Sequence, residues 1–313
     1  MNKEEKERIL QCVLFQIEKE RTPRSRYYLK KMGAVILAAV VVFSCGAFTV
    51  KALDLDSRLE KVIGGNNEKI ARAVTNLDAA TEEKGIRIEA KQAVGDGHRV
   101  YILLEVTSLT DLTFDRTCSF QGFEMACSGI DNYGSSIGPA NENISEDGKT
   151  MDMILEIASE EAANNQHISI KLKNFGKMCY VKESQQKVLI EGVWSLDFQL
   201  KYKRISETYR PDIVFTAGNG KLCIDRVDLS PISCFIEVSA EKNSADLENV
   251  WSSMGNIKLK MEDGTLVPLE IDGSSWLRGG KDSSGTMEGV FKEIINMDQA
   301  EKLIINDMEI PLY

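Results

Sequence analysis

Two hydrophobic periods divide this chain. Near the start, Leu10, Val13, Leu14 and Ile17 recur every three or four positions with Ile9 beside them, while Glu4, Glu5, Lys6, Glu18 and Lys19 supply polar ends and sides. This spacing predicts an amphipathic helix of about four turns, 3.6 residues to the turn. It ends before Thr22-Pro23, because a proline pushes the preceding residue out of helical backbone. Met32 to Val50 then runs without a single charge. As a helix, such a run spans roughly 28 Å, close to the thickness of a bilayer core.

Beyond the apolar run, Leu55, Leu59, Val62 and Ile63 keep helical spacing until Gly64-Gly65-Asn66-Asn67 interrupts it. A second short helix is predicted through Ile70, Ala71, Val74 and Leu77, and both are expected to pack on the domain that follows. From Gly85 the period becomes two. Ile86 and Ile88 lead to a Gly95-Asp96-Gly97 turn, after which Val100, Ile102, Leu104 and Val106 alternate with polar neighbours. Alternating runs recur at Met151 to Ile157, Ile168 to Leu172 and Trp194 to Tyr202. Short strands separated by turn signals predict a β-sandwich.

A fainter echo begins after Pro211. "GKLCIDRVDLSPISCFIEVSA" repeats the order strand, turn, strand, and ends in "IEV" where the earlier segment ends in "LEV". Ile257, Leu259 and Met261 enter an Asp263-Gly264 hairpin, with Val267, Leu269 and Ile271 returning. Ile304, Met308, Ile310 and Leu312 close the chain. The echo predicts two sandwiches in tandem, separated near Arg204 to Pro211.

Charge adds direction. The chain carries a formal -10 at pH 7 with a pI near 5.0, which argues against nucleic acid as a partner. Residues 1–31 nevertheless hold nine Lys or Arg against five Glu. Arg21, Arg24, Arg26, Lys30 and Lys31 crowd the N-terminal side of the apolar run, whereas Lys51 is followed by Asp54 and Asp56. The positive-inside rule therefore predicts a cell-membrane protein with a cytoplasmic N-terminus and extracytoplasmic C-terminal domains. A cleaved secretory signal is the alternative, since Val50-Lys51-Ala52 resembles a cleavage site. The 31 residues in front, fourteen of them charged, favour an anchor that stays.

Candidate chemistry is sparse. His98 and His167 each flank an alternating strand, where a turn or surface role is expected. Gly148-Lys149-Thr150 lacks the upstream glycine of a phosphate loop, because position 143 is Asn143. Ser239-Ala240-Glu241-Lys242 follows a strand and has no Lys-Thr-Gly partner motif. Leu259 and Met261 occupy the places where the first ligands of a calcium loop ending at Glu270 would belong. No catalytic, cofactor or metal residues are assigned, and an enzyme is not expected. Among the cysteines, Cys118–Cys127 could bridge across a loop, Cys223 and Cys234 are out of phase with one another, and buried free thiols are the simpler expectation.

The layout resembles single-pass bacterial membrane proteins with an extracytoplasmic domain of unknown function, of the family often encoded beside extracytoplasmic-function sigma factors. The resemblance lies in the juxtamembrane helix, in "EEKGIRIEAKQAVGDGHRVYILLEVTS" and in "EGVWSLDFQLKY", and covers roughly Ala52 to Lys203. It implies a mainly β chain of two tandem immunoglobulin-like β-sandwiches, one transmembrane helix and a short cytoplasmic helix. The expected divisions are 1–31 head, 32–51 membrane helix, 52–83 juxtamembrane helical segment, 84–205 first sandwich and 206–313 second. The implied function is similar to that of a transmembrane anti-sigma factor, with an extracytoplasmic sensing module coupled to a head that binds a sigma factor through Ile9, Leu10, Val13, Leu14 and Ile17. The head departs from that family in being very short and in lacking a zinc-binding Cys/His pattern. The inner leaflet and a second head remain open as alternative partners for the stripe. A surface-anchored binding or adhesion protein without a signalling role is the competing function.

Overall fold

The computed structural model describes residues 58–59, 68–177, 187–217, 220–240, 256–277, 284–306 and 308–312. It is mainly β, as the period-two runs require. The head stripe, the basic cluster from Arg21 to Lys31 and the apolar run Met32 to Val50 lie outside the described residues. Among the described residues no helix is long and apolar enough to cross a membrane.

A single-turn helix, α1 (Glu68–Ala73), leads into β1 (Thr75–Glu83). The sequence expectation of a helix continuing through Leu77, and of a helical segment reaching residue 83, is corrected here. Thr75 and Thr81 are β-branched, and the run pairs along β2 (Ile86–Gly95), so sheet hydrogen bonds outweigh a helical spacing only a few residues long. β2 turns at Asp96–His98 into β3 (Arg99–Ser108). With β5 (Tyr133–Ile144) and β6 (Thr150–Ser159) these strands form an antiparallel sheet in the order β1-β2-β3-β6-β5. β4 (Cys118–Cys127), β7 (His167–Lys177) and β8 (Lys187–Gln199) form a second sheet in that order.

The apolar members of each alternation meet between these two sheets. Ile86, Ile88, Ile102, Leu104 and Met153 face Ile170, Leu172, Phe175, Trp194 and Leu196 in one buried cluster. The Trp194 indole also donates to the carbonyls of Glu83 (3.0 Å) and Ile86 (3.1 Å), which fastens β8 to the turn between β1 and β2. Cys118 and Cys127 sit at opposite ends of β4, and both are free. The expected loop between them is instead one extended strand, which holds them roughly 30 Å apart at ~3.3 Å per residue and rules out a bridge.

The second unit repeats the plan. β9 (Glu207–Tyr209) and β10 (Ile213–Ala217) flank β11 (Gly220–Leu229), which pairs with β12 (Ser233–Ala240). The first sheet runs β10-β11-β12-β16-β15, with β15 (Glu270–Leu277) and β16 (Ser284–Val290). The second runs β14-β13-β17-β18, from β13 (Ile257–Met261), β14 (Leu266–Pro268), β17 (Ala300–Ile305) and β18 (Met308–Pro311). Their facing sides bury Leu222, Ile236, Leu259 and Leu303 in a core of their own. The Asp263-Gly264 hairpin forms as the alternation predicts, with Gly264 at φ +85°. Its returning strand is split, however. The chain leaves one sheet after Pro268 and enters the other at Glu270, so Val267 and Ile271 belong to different layers.

Candidate functional site

The most densely connected polar groups of the described residues lie where the β2–β3 and β11–β12 hairpins meet tip to tip. These hairpins are built alike. Asp96 and Ser230 begin the two turns and are 134 residues apart. Asp96 N–H donates to the Arg99 carbonyl at 3.0 Å, and Ser230 N–H donates to the Ser233 carbonyl at 2.9 Å. Gly95 opposite Val100 in one hairpin corresponds to Leu229 opposite Cys234 in the other. Each also carries its register shift at the same place, between Ala90 and Gln92 and between Ile224 and Arg226. A bulge at that point increases the local twist and aims the tip, so both tips are aimed by the same device.

The side chains on these equivalent backbones differ, and they are complementary. Asp96 is a buried acceptor at the centre. Its Oδ1 receives the backbone N–H groups of His98 (3.0 Å) and Arg99 (2.8 Å), and its Oδ2 receives the hydroxyls of Ser230 (2.7 Å) and Ser233 (2.5 Å) from the opposite tip. Four donors on one carboxylate satisfy its lone pairs within a buried contact.

His98 is next to it. The expectation of a surface histidine is corrected here, since the residue is only 6% exposed although it does occupy a turn. Its ring stacks on Phe235 at 3.8 Å between centroids. Nε2 lies 2.7 Å from Asp228 Oδ2 and Nδ1 lies 3.3 Å from the Ser159 carbonyl oxygen. Both partners are oxygens, so each ring nitrogen has one within hydrogen-bonding distance. Asp228 also receives the Thr208 hydroxyl (2.5 Å) and faces Arg204 (3.0 Å). Burial by itself would raise the Asp228 carboxyl. The hydrogen bonds from His98 and Thr208 and the His98 and Arg204 charges outweigh it and hold the group at about 2, below its ordinary 3.8.

Arg99 completes the contact. Its guanidinium is 3% exposed and forks onto three carboxylates: Glu156 of the first unit, Glu288 of the second at 2.9 Å and Asp272 of the second at 2.5 Å. Burial disfavours the charged guanidinium, but the Glu288 and Asp272 carboxylates more than compensate and keep its proton bound. Glu288 itself is pushed upward, because burial and the neighbouring Asp96 and Asp272 charges exceed the pull of Arg99. Burial also drives the neighbouring Cys234 thiol upward, which leaves it unreactive.

The chain connecting the units threads the same place. Arg204 bridges to Gly95, and the Ser206 hydroxyl donates to the Asp96 carbonyl at 2.5 Å. Thr286 donates to Glu160 across the contact at 2.9 Å. The serine hydroxyls are thus committed to Asp96, and the imidazole to Asp228 and the Ser159 carbonyl. What this arrangement does chemically is hold two domains in one relative orientation. Among the described residues no group of three or more His, Cys, Asp or Glu is placed to hold a metal ion. His167, by contrast, is on the surface, 58% exposed and 3.7 Å from Asp197.

The head residues proposed to bind a partner, Ile9, Leu10, Val13, Leu14 and Ile17, lie outside the described residues, so the structure does not bring them to any site. Of the junction residues, His98 was expected at a turn or surface and Asp96 as part of a turn, whereas Arg99, Asp228, Ser230 and Ser233 carried no expectation of a contact. Matching "LEV" to "IEV" in the echo sets Asp96 against Asp228, two residues out of step with the structural equivalence of Asp96 and Ser230, so the echo signals the repeat without locating the contact.

No protein-family model matches the chain, and no curated protein matches it. A solved structure described as the conserved domain protein from Bacillus anthracis is similar over 77% of this chain and 78% of that one, at 14% sequence identity and a TM-score of 0.49.

Proposed function

We propose that this chain is a single-pass membrane regulator resembling a transmembrane anti-sigma factor, in which two immunoglobulin-like sandwiches outside the membrane govern a cytoplasmic helix that binds a sigma factor. The sandwich reading is supported by strand order. In the first unit β2-β3-β6-β5 faces β4-β7-β8, and in the second β11-β12-β16-β15 faces β13-β17-β18. Both follow the constant-type order A-B-E-D against C-F-G; β1 is added before A in the first unit, and β9 and β10 before A and β14 beside C in the second.

The observation that carries the regulatory reading is the junction itself. Two repeats joined by a loose linker would suit a passive spacer, whereas a buried, hydrogen-bonded contact fixes their orientation and makes the exported part respond as one body. The membrane run supplies the covalent link to the head, and the stripe from Ile9 to Ile17 supplies an apolar face that a helix of this length must bury on a partner.

The test uses the full-length chain in cells and in membranes. Leu14→Asp and Ile17→Asp together are expected to weaken capture of a sigma factor by about tenfold or more, as loss of two apolar anchors does in a helix-groove contact, and to release sigma-dependent transcription. Capture and transcription that stay unchanged would overturn the regulatory reading in favour of a surface-anchored binding or adhesion protein.

A further inference from the structure

The outward face of an antiparallel sheet is ordinarily polar, because water covers it. On the β1-β2-β3-β6-β5 sheet that face is apolar near the junction: Val94 and Leu103 are fully buried there, and Tyr101 and Ile154 are partly buried beside them. What covers them comes from two directions. Leu59, Ile70 and Ala73, from the residues before the first strand, are 0–2% exposed in this cluster. Ile232, from the tip of the second unit's hairpin, joins the same cluster at 5% exposed. Polar contacts anchor the near side. Arg58 reaches Asp152 and Glu105 (2.7 Å), and Leu59 N–H donates to the Gln92 side chain at 3.3 Å.

Ile232 is not free to move independently of the polar contact beneath it. Its backbone N–H donates to Ser230 Oγ at 3.1 Å, and that same hydroxyl donates to Asp96. A displacement of the second unit that breaks the Ser230–Asp96 bond must therefore also withdraw Ile232 from the cluster.

We infer that the junction is a conformational coupler: the second unit supplies part of the seat on which Leu59, Ile70 and Ala73 rest, so a movement of that unit is transmitted to the chain that follows the apolar run. The physical coupling stands on the cluster alone. Its regulatory meaning rests on the proposed function. An apolar seat lacking one wall opens more often, because each local opening exposes less buried surface.

The test places a cysteine at the small, buried Ala73 of the full-length chain in lipid vesicles and follows its modification by a hydrophilic maleimide, located by peptide mass. The native thiols of Cys118 and Cys234, both 0% exposed, report whether either core has loosened. Ile232→Ala is expected to speed modification of the cysteine at 73 by about tenfold, with Cys118 and Cys234 as slow as before. Ser230→Ala, which removes only a hydroxyl, serves as the second variant should Ile232→Ala disturb the second core, and is expected to give a rise of about threefold. A rate at 73 unchanged in both variants would overturn the coupler, because the first unit would then form the seat alone. If the rate rises while sigma-dependent transcription in cells carrying Ile232→Ala stays constant, the coupler stands and the anti-sigma-like reading falls.

Discussion

The β2–β3 and β11–β12 hairpins share their turn bonding, their register and the site of their bulge, yet their tips carry opposite chemistry. At the first tip stand Asp96, Gly97, His98 and Arg99; the second presents Ser230, Pro231, Ile232 and Ser233. One tip concentrates charge and acceptors, and the other offers small donors and one apolar side chain. The comparison teaches that a repeated backbone can be made to bind its own copy. The common geometry brings the two turns together, and the divergent side chains make the contact directional rather than self-associating.

The comparison predicts an asymmetry in energy. Asp96 serves four donors, so Asp96→Ala strands buried hydroxyls and amides together and is expected to cost about 3–5 kcal/mol. Ser230→Ala removes one donor from a carboxylate that keeps three others and takes one acceptor from the Ile232 and Ser233 amides, and is expected to cost about 2 kcal/mol. Urea unfolding of the two variants, followed by tryptophan fluorescence, measures both; equal losses would refute the asymmetry.

A second prediction turns on pH. Asp228 is held at about 2 when folded against an ordinary 3.8, so folding favours its ionised form. That contribution is present above pH 4 and is lost as the pH falls toward 2, with a size on the order of 2 kcal/mol. The wild-type chain should therefore exceed Asp228→Asn in stability by about that amount at pH 7, and the gap should close by pH 2. A gap that persists at pH 2 would locate the effect in packing rather than charge.

A third prediction concerns the turns. Gly97 sits at φ +114°, and an added Cβ would lie 3.1 Å from the Arg204 side chain. Gly97→Ala is expected to cost about 1–3 kcal/mol, since the backbone strain has no remedy and Arg204 must also give way. Pro231, at the equivalent place in the other turn, only restricts the unfolded chain, so Pro231→Ala is expected to cost less than about 1 kcal/mol. Thermal unfolding midpoints order the pair, and a larger loss at Pro231 would mean that the tips bear strain differently from their shared hydrogen bonding.

Much of the fold was legible because it depends on local alternation. Ile86, Ile88, Val100, Ile102, Leu104 and Val106 read as a hairpin with one apolar face, and the structure buries all six. The same rule failed where tertiary pairing overruled a short pattern. Leu77 lies in β1, not in a helix, because β2 pairs with the residues on either side of it, and the run after Gly264 divides between two sheets. Residues such as Gln121 and Gly122 weaken the alternation between Cys118 and Cys127, whereas β7 pairs with that stretch in one unbroken register from end to end.

By itself, the sequence determined the period-two strands, the turns and the inward faces, since each follows from residues within a few positions of one another. It also determined the charge asymmetry around Met32 to Val50. The tertiary structure alone decided that His98 is buried, that Asp96 faces Ser230 across 134 residues, and that Ile232 completes a seat for Leu59 and Ala73. These pairings require two separately formed hairpins to be brought tip to tip, and no short-range pattern records which surfaces will meet once both cores have closed.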